Sequence, residues 1–188
     1  MLKKGPMNRK LSLIVCAMTF GVLLVAQPSN DNCNSPIKIG DITKYCSKAG
    51  EFTTVAATPS GYGASTCWSN SPGDVWFAFR AFASDVNITI IGANVAGTPG
   101  GSLRTMQAAL YSGVCGGTLQ EINCGTDTRN AGILSLYEGG LVVGRDYLLR
   151  IDGRSAATGT FQLCINNYFP PARAEQDCNR ATVICDNA

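Results

Sequence analysis

The sequence predicts an all-β fold, an antiparallel two-sheet β-sandwich of about nine short strands stapled by disulfides. Three observations predict it. Apolar residues alternate with polar ones rather than recurring every three or four positions. Clusters of Gly, Pro, Asn and Ser break the pattern at short intervals, as turns do. The cysteines that follow an export-type leader are even in number, which is how an oxidised framework reads.

Taken in order, the chain opens with Lys3, Lys4, Arg9 and Lys10 ahead of the apolar run Leu11 to Ala26. A basic start followed by 16 apolar or small residues is a signal peptide, residues 1–26, because a spanning helix needs roughly 20. Cys16 is a poor lipidation site, since Val15 before it is not small. The sandwich is expected over residues 27–168. Its clearest strand is Asp74 to Phe82, with Val75, Phe77 and Phe79 on the core face and Asp74, Trp76 and Arg80 on the other. Val86 to Ile91 follows after a short Ser-Asp turn, which predicts a hairpin. The remaining strands are Ile37 to Ile39, Phe52 to Ala57, Met106 to Tyr111, Leu119 to Asn123, Ile133 to Tyr137, Asp146 to Ile151 and Thr160 to Ile165. Pro170-Pro171 ends the module, residues 169–176 read as a linker, and residues 177–188 read as the start of a second module. Asp31 to Ile39 carries a related pattern of Asp, Cys and aliphatic residues, a faint internal repeat.

Composition narrows the chemistry. The chain has no His and only 28 charged side chains in 188 residues, where an average domain carries about a quarter. Without His, the usual general base, the commonest metal ligand and the Ser-His and Cys-His pairs are missing, so the sequence reads as a non-enzyme. Removing the leader takes four positive charges and leaves 11 basic and 13 acidic residues, a net charge of 11 − 13 = −2. No basic stripe points to nucleic acid, and the mature chain has no membrane-spanning run. No two of the remaining eight cysteines lie closer than seven positions, which argues against zinc. In the Gly/Ser-rich loop Pro59 to Gly73, Tyr62 and Trp68 are placed to meet a glycan or protein ligand, whereas Trp76 belongs inside the sandwich. Asp74 and Asp127 are the carboxylates that a Ca²⁺ ion would use, set against their simpler reading as solvated turn residues.

Several blocks agree in order with a known layout: Asp31-Asn32-Cys33, Gly73 to Phe79, Ala109 to Gly113 ahead of Cys115 and Cys124, Gly144 to Ile151, and Gly159 to Leu163. Over roughly Asn30 to Asn166 the chain resembles the pre-peptidase C-terminal-like β-sandwich modules of Bacteroidetes surface proteins, often exported by the type IX system and linked to gliding or adhesion. The resemblance implies a jelly-roll-like, non-catalytic accessory module of a larger secreted or cell-surface protein. It departs at Cys124 to Asp127, where many relatives carry an acidic run. Eight cysteines allow 105 pairings. Chain order and the likeness together imply Cys115–Cys124, Cys33–Cys164, Cys46–Cys67 and Cys178–Cys185. The first closes a ten-residue loop, and Cys164 stands on the face opposite Phe161, Leu163 and Ile165. The functional expectation is an extracellular binding or adhesion module that sits beside neighbouring modules. The alternatives are a self-associating spacer or filament subunit and an accessory domain of a secreted hydrolase.

Overall fold

The computed structural model describes residue 1 and residues 26–170. The body of the expected leader, most of the linker, residues 177–188 and the Cys178–Cys185 pair lie outside the described residues. Ten strands run in the order β1 (Ile37–Ile39), β2 (Tyr45–Cys46), β3 (Phe52–Thr53), β4 (Asp74–Arg80), β5 (Asp85–Ile91), β6 (Met106–Gly113), β7 (Leu119–Thr126), β8 (Ile133–Glu138), β9 (Asp146–Gly153) and β10 (Thr160–Tyr168).

They form two sheets. One has the order β1-β4-β9-β6-β7, the other β2-β10-β5-β8 with β3 also paired to β10. β2 and β3 meet β10 at Cys164–Ile165 and Thr160–Phe161, so they act as one strand interrupted by the residues between them. Counted that way from β2 to β10, the eight strands follow the order 1-8-3-6 in one sheet and 2-7-4-5 in the other. This is a jelly roll. The added β1 runs parallel to β4, the one departure from an antiparallel sandwich among the described strands.

The inner faces are those that alternation predicts. Val75, Phe77 and Phe79 pack with Leu149 and Ile151 in one layer against Ile88, Ile90, Phe161 and Leu163 in the other. Phe52 closes edge-on against Phe77, ring centroids 4.8 Å apart. Burying each such side chain contributes roughly 1.5–3 kcal/mol. β3 stops at Thr53 rather than Ala57 because Ala56 takes φ +61° and the chain turns there.

Two expectations are corrected by the topology. Asp74 to Phe82 and Val86 to Ile91 do not form a hairpin: β4 pairs with β9 and β1, whereas β5 crosses to the other sheet and pairs with β10 and β8. The cysteines pair as Cys33–Cys115, Cys46–Cys164 and Cys67–Cys124, with Cα atoms 5.6, 4.1 and 6.1 Å apart. Cys115–Cys124, Cys33–Cys164 and Cys46–Cys67 are therefore not the bridges. β7 runs extended from Leu119, carrying Cys124 about 17 Å along the strand and away from the turn that holds Cys115. Cys46 and Cys164 face each other in register on the outside of the β2-β10-β5-β8 sheet. Cys33 and Cys67 lie over the outside of the other sheet, so both sheets separate them from the partners first expected.

Candidate functional site

The loop between β3 and β4 forms a strap over the outer face of the β1-β4-β9-β6-β7 sheet. Alternation places Asp74 and Trp76 of β4, Arg150 and Asp152 of β9, and Gln107, Ala109 and Tyr111 of β6 on this outward face. An outward face is ordinarily solvated. Here Trp76, Arg150, Asp74 and Gln107 are all at most 1% exposed, because the strap covers them.

The cover builds a second core outside the sandwich from Cys33, Trp68, Trp76, Ala109, Tyr111 and Leu148. Trp76 belongs to this outer cluster and not to the space between the sheets. Two disulfides pin the layer, Cys33–Cys115 at the start of the module and Cys67–Cys124 in the strap. Polar ties add to them. Gln107 Nε2 donates to the Asn70 carbonyl at 2.7 Å, Thr126 Oγ1 donates to the Cys67 carbonyl at 3.1 Å, and the Thr58 amide donates to Asp31 at 2.6 Å.

At the centre lies a buried ion pair. Arg150 donates to Asp74 through Nε at 2.8 Å and also through Nη2. Ser60 and Ser71 hydroxyls donate to the same carboxylate at 2.9 and 3.0 Å, and Trp76 Nε1 donates at 2.9 Å. Arg150 Nη1 reaches the Gly63 carbonyl at 2.7 Å. Its guanidinium stands 4.9 Å from the Trp68 ring centroid and 5.3 Å from that of Trp76, a cation between two π faces. A buried charge pair is tolerated only when its remaining donors and acceptors are satisfied, and these contacts supply that. Asp152 lies beside the pair. Burial pushes its carboxyl up to about 6, with the negative charge of Asp74 adding to the rise, while the Ser71 hydroxyl and the Gly153 amide hold it back.

Tyr62 sits at the rim. It is 39% exposed, its ring meets Trp76 edge-on at 5.5 Å, and its hydroxyl accepts the Gly116 amide at 2.9 Å. Trp68, expected to be as free as Tyr62, is 7% exposed under the strap, and its Nε1 has no partner there. Asp74 and Asp127 are not brought together: the register Asp74–Asp152–Gln107–Thr126 puts three strand spacings, about 14 Å, between Asp74 and the neighbour of Asp127. Asp127 instead accepts the backbone amides of Arg129, Ala131 and Gly132 at 3.2, 3.1 and 2.9 Å. Among the described residues no group of three or more His, Cys, Asp or Glu side chains is placed to hold a metal ion. No helix among them is long and apolar enough to cross a membrane.

Sequence reasoning missed Arg150, Asp152, Gln107 and the serines Ser60 and Ser71. A signal for the first two was present. In Leu148 to Asp152 two charges alternate with apolar residues at the end of a predicted strand, and the register sets them opposite Trp76 and Asp74.

No protein-family model matches this chain, and no curated protein does. Solved structures similar to it include the following three. The pre-peptidase C-terminal domain of a collagenase from Bacillus anthracis is 12% identical with TM-score 0.36, over 69% of this chain and 93% of that one. A mitogen derived from Yersinia pseudotuberculosis is 15% identical with TM-score 0.38, over 74% and 94%. The Podospora anserina GH26-CBM35 β-(1,4)-mannanase is 12% identical with TM-score 0.32, over 70% of this chain and 29% of the mannanase.

Proposed function

We propose that the protein is a non-catalytic, extracellular recognition module that binds a surface ligand at the rim of its strap, with Tyr62 as the contact residue. The observation that supports this is how the ionisable groups of the interior are engaged. Asp74 and Arg150 are closed on each other and on the strap, so the pair acts as a fastener, and the ring the strap leaves open is Tyr62. A ring held by a disulfide-pinned loop loses little freedom on binding. Three disulfides are consistent with an extracellular location. Residues 1–26 as the export leader and residues 177–188 as the start of a further module belong to the same proposal, as does adhesion to glycan or protein on cells.

The test is attachment of the mature protein to cells and immobilised glycans. Tyr62→Ala is expected to weaken attachment with only a small fall in melting temperature, from its lost contact with Trp76 and its bond to the Gly116 amide. Trp68→Ala is expected to lower the melting temperature, since Trp68 is buried against Arg150. Undiminished attachment of Tyr62→Ala refutes the assignment.

A further inference from the structure

We infer that the outer face of the β2-β10-β5-β8 sheet is a second binding site, a trough that takes a neutral oligosaccharide chain. The inference rests on the recognition-module reading and goes beyond it, because this face is on the side of the sandwich away from the strap. The trough has a volume of about 350 Å³, at the lower end of the range for small-ligand sites, and it lies along β10. Its floor is the Cys46–Cys164 bridge, whose two short side chains leave a depression between longer neighbours. Asn87, Thr89 and Asn166 stand along it, and Tyr45, whose ring packs against the core, borders it at the β2 edge.

The chemistry of the face selects the occupant. Along Gln162 to Asn166, Asn87 to Ile91 and Ile133 to Tyr137 no outward side chain is charged, although exposed faces are where Lys, Arg, Asp and Glu ordinarily gather. Lys44, at one end, is the single charged residue lining the trough. An anionic polymer finds too little positive charge here, and an apolar partner would leave the Asn166 amide and the Asn87 carbonyl oxygen unpaired, the Asn87 Nδ2 donating to the Tyr168 hydroxyl at 3.2 Å. The Asn166 amide offers two donors and an acceptor, and Asn87 keeps its oxygen and a second N–H beyond its bond to Tyr168. The Thr89 and Ser135 hydroxyls, 3.3 Å from each other, keep capacity besides their shared bond, which suits a ligand whose neighbouring hydroxyls donate and accept in turn. Register sets Asn166, Asn87 and Tyr137 in one row across β10, β5 and β8. Tyr137 is 56% exposed and its hydroxyl donates to Asp85 at 2.5 Å, so its ring is a positioned flat surface for the C–H face of a sugar.

Native gel electrophoresis of the oxidised protein through mannan, β-glucan and xylan, with polygalacturonate as the acidic probe, tests this. The expected result is retardation by at least one neutral polymer. Asn87→Ala combined with Asn166→Ala weakens it by about tenfold, two hydrogen bonds being lost. Tyr137→Ala does likewise, Tyr137→Phe retains it, and Tyr62→Ala leaves it unchanged. The asparagine pair is exposed, so its variant folds and decides the matter even where Tyr137→Ala does not fold. Retardation by no neutral polymer, by polygalacturonate alone, or undiminished in the asparagine variant overturns the trough. Attachment of the wild type to cells with no neutral polymer bound removes the trough and leaves the strap reading intact.

Discussion

Arg150 and Asp74 hold the outer layer together, and each is costly to remove alone. Asp74→Ala leaves a buried guanidinium with no counter-charge, so urea denaturation should show a loss of roughly 3–5 kcal/mol. A loss under 1 kcal/mol would mean that the strap holds without its ion pair. Asp152 makes stability depend on pH. Its folded carboxyl titrates at about 6, above the ordinary value of 3.8, so the folded state keeps a proton that the unfolded chain releases. That contribution is fully present below about pH 4 and is lost as pH rises towards 6 and beyond. Asp152→Asn does not titrate. Its stability relative to wild type should therefore rise across that window by up to about 3 kcal/mol, in denaturation curves at pH 4 and pH 7. A constant difference between the two proteins would place the titration elsewhere. Since the Asp74 and Asp127 oxygens are taken by protein donors, EDTA should leave the melting temperature unchanged, and a fall on chelation would restore the calcium reading.

The strap and the strands became legible from different kinds of information. All the described strands but the two-residue β2 could be read locally, because burying one face of a pleated segment demands alternation within a few residues, as in Val75, Phe77 and Phe79. The strap offers no such periodicity. Its Gly- and Ser-rich composition reads as a free loop, and only the sheet beneath it shows that Trp68 is covered while Tyr62 is not. The two sets of disulfides should separate experimentally. Opening Cys67–Cys124 with serine at both positions should shift tryptophan emission to the red and admit protease near Trp68. The same change at Cys46 and Cys164, on the far sheet, should lower the melting temperature with the emission unmoved. Identical spectra for both variants would mean that the strap stays seated without its clamp.

Across the whole molecule, the jelly-roll order joins strands that are distant in sequence, β2 to β10 and β4 to β9. The three bridges close stretches of 82, 118 and 57 residues. In the chain-entropy account each removes about 4–5 kcal/mol of unfolded-state freedom. Because a native domain is stable by only about 5–15 kcal/mol, complete reduction should unfold this one, seen as loss of β-type circular dichroism. A reduced protein with its native spectrum would show that the apolar core suffices alone. The sequence by itself determined nine of the ten described strands, missing only the two-residue β2, and the apolar side of a strand such as β4, since those properties reside in near neighbours. Only the tertiary structure decided that β5 leaves β4 for the other sheet, which cysteines meet, and that Arg150 is buried against Asp74. Those depend on which layer a residue enters, and alternation carries no information about a strand's distant partner.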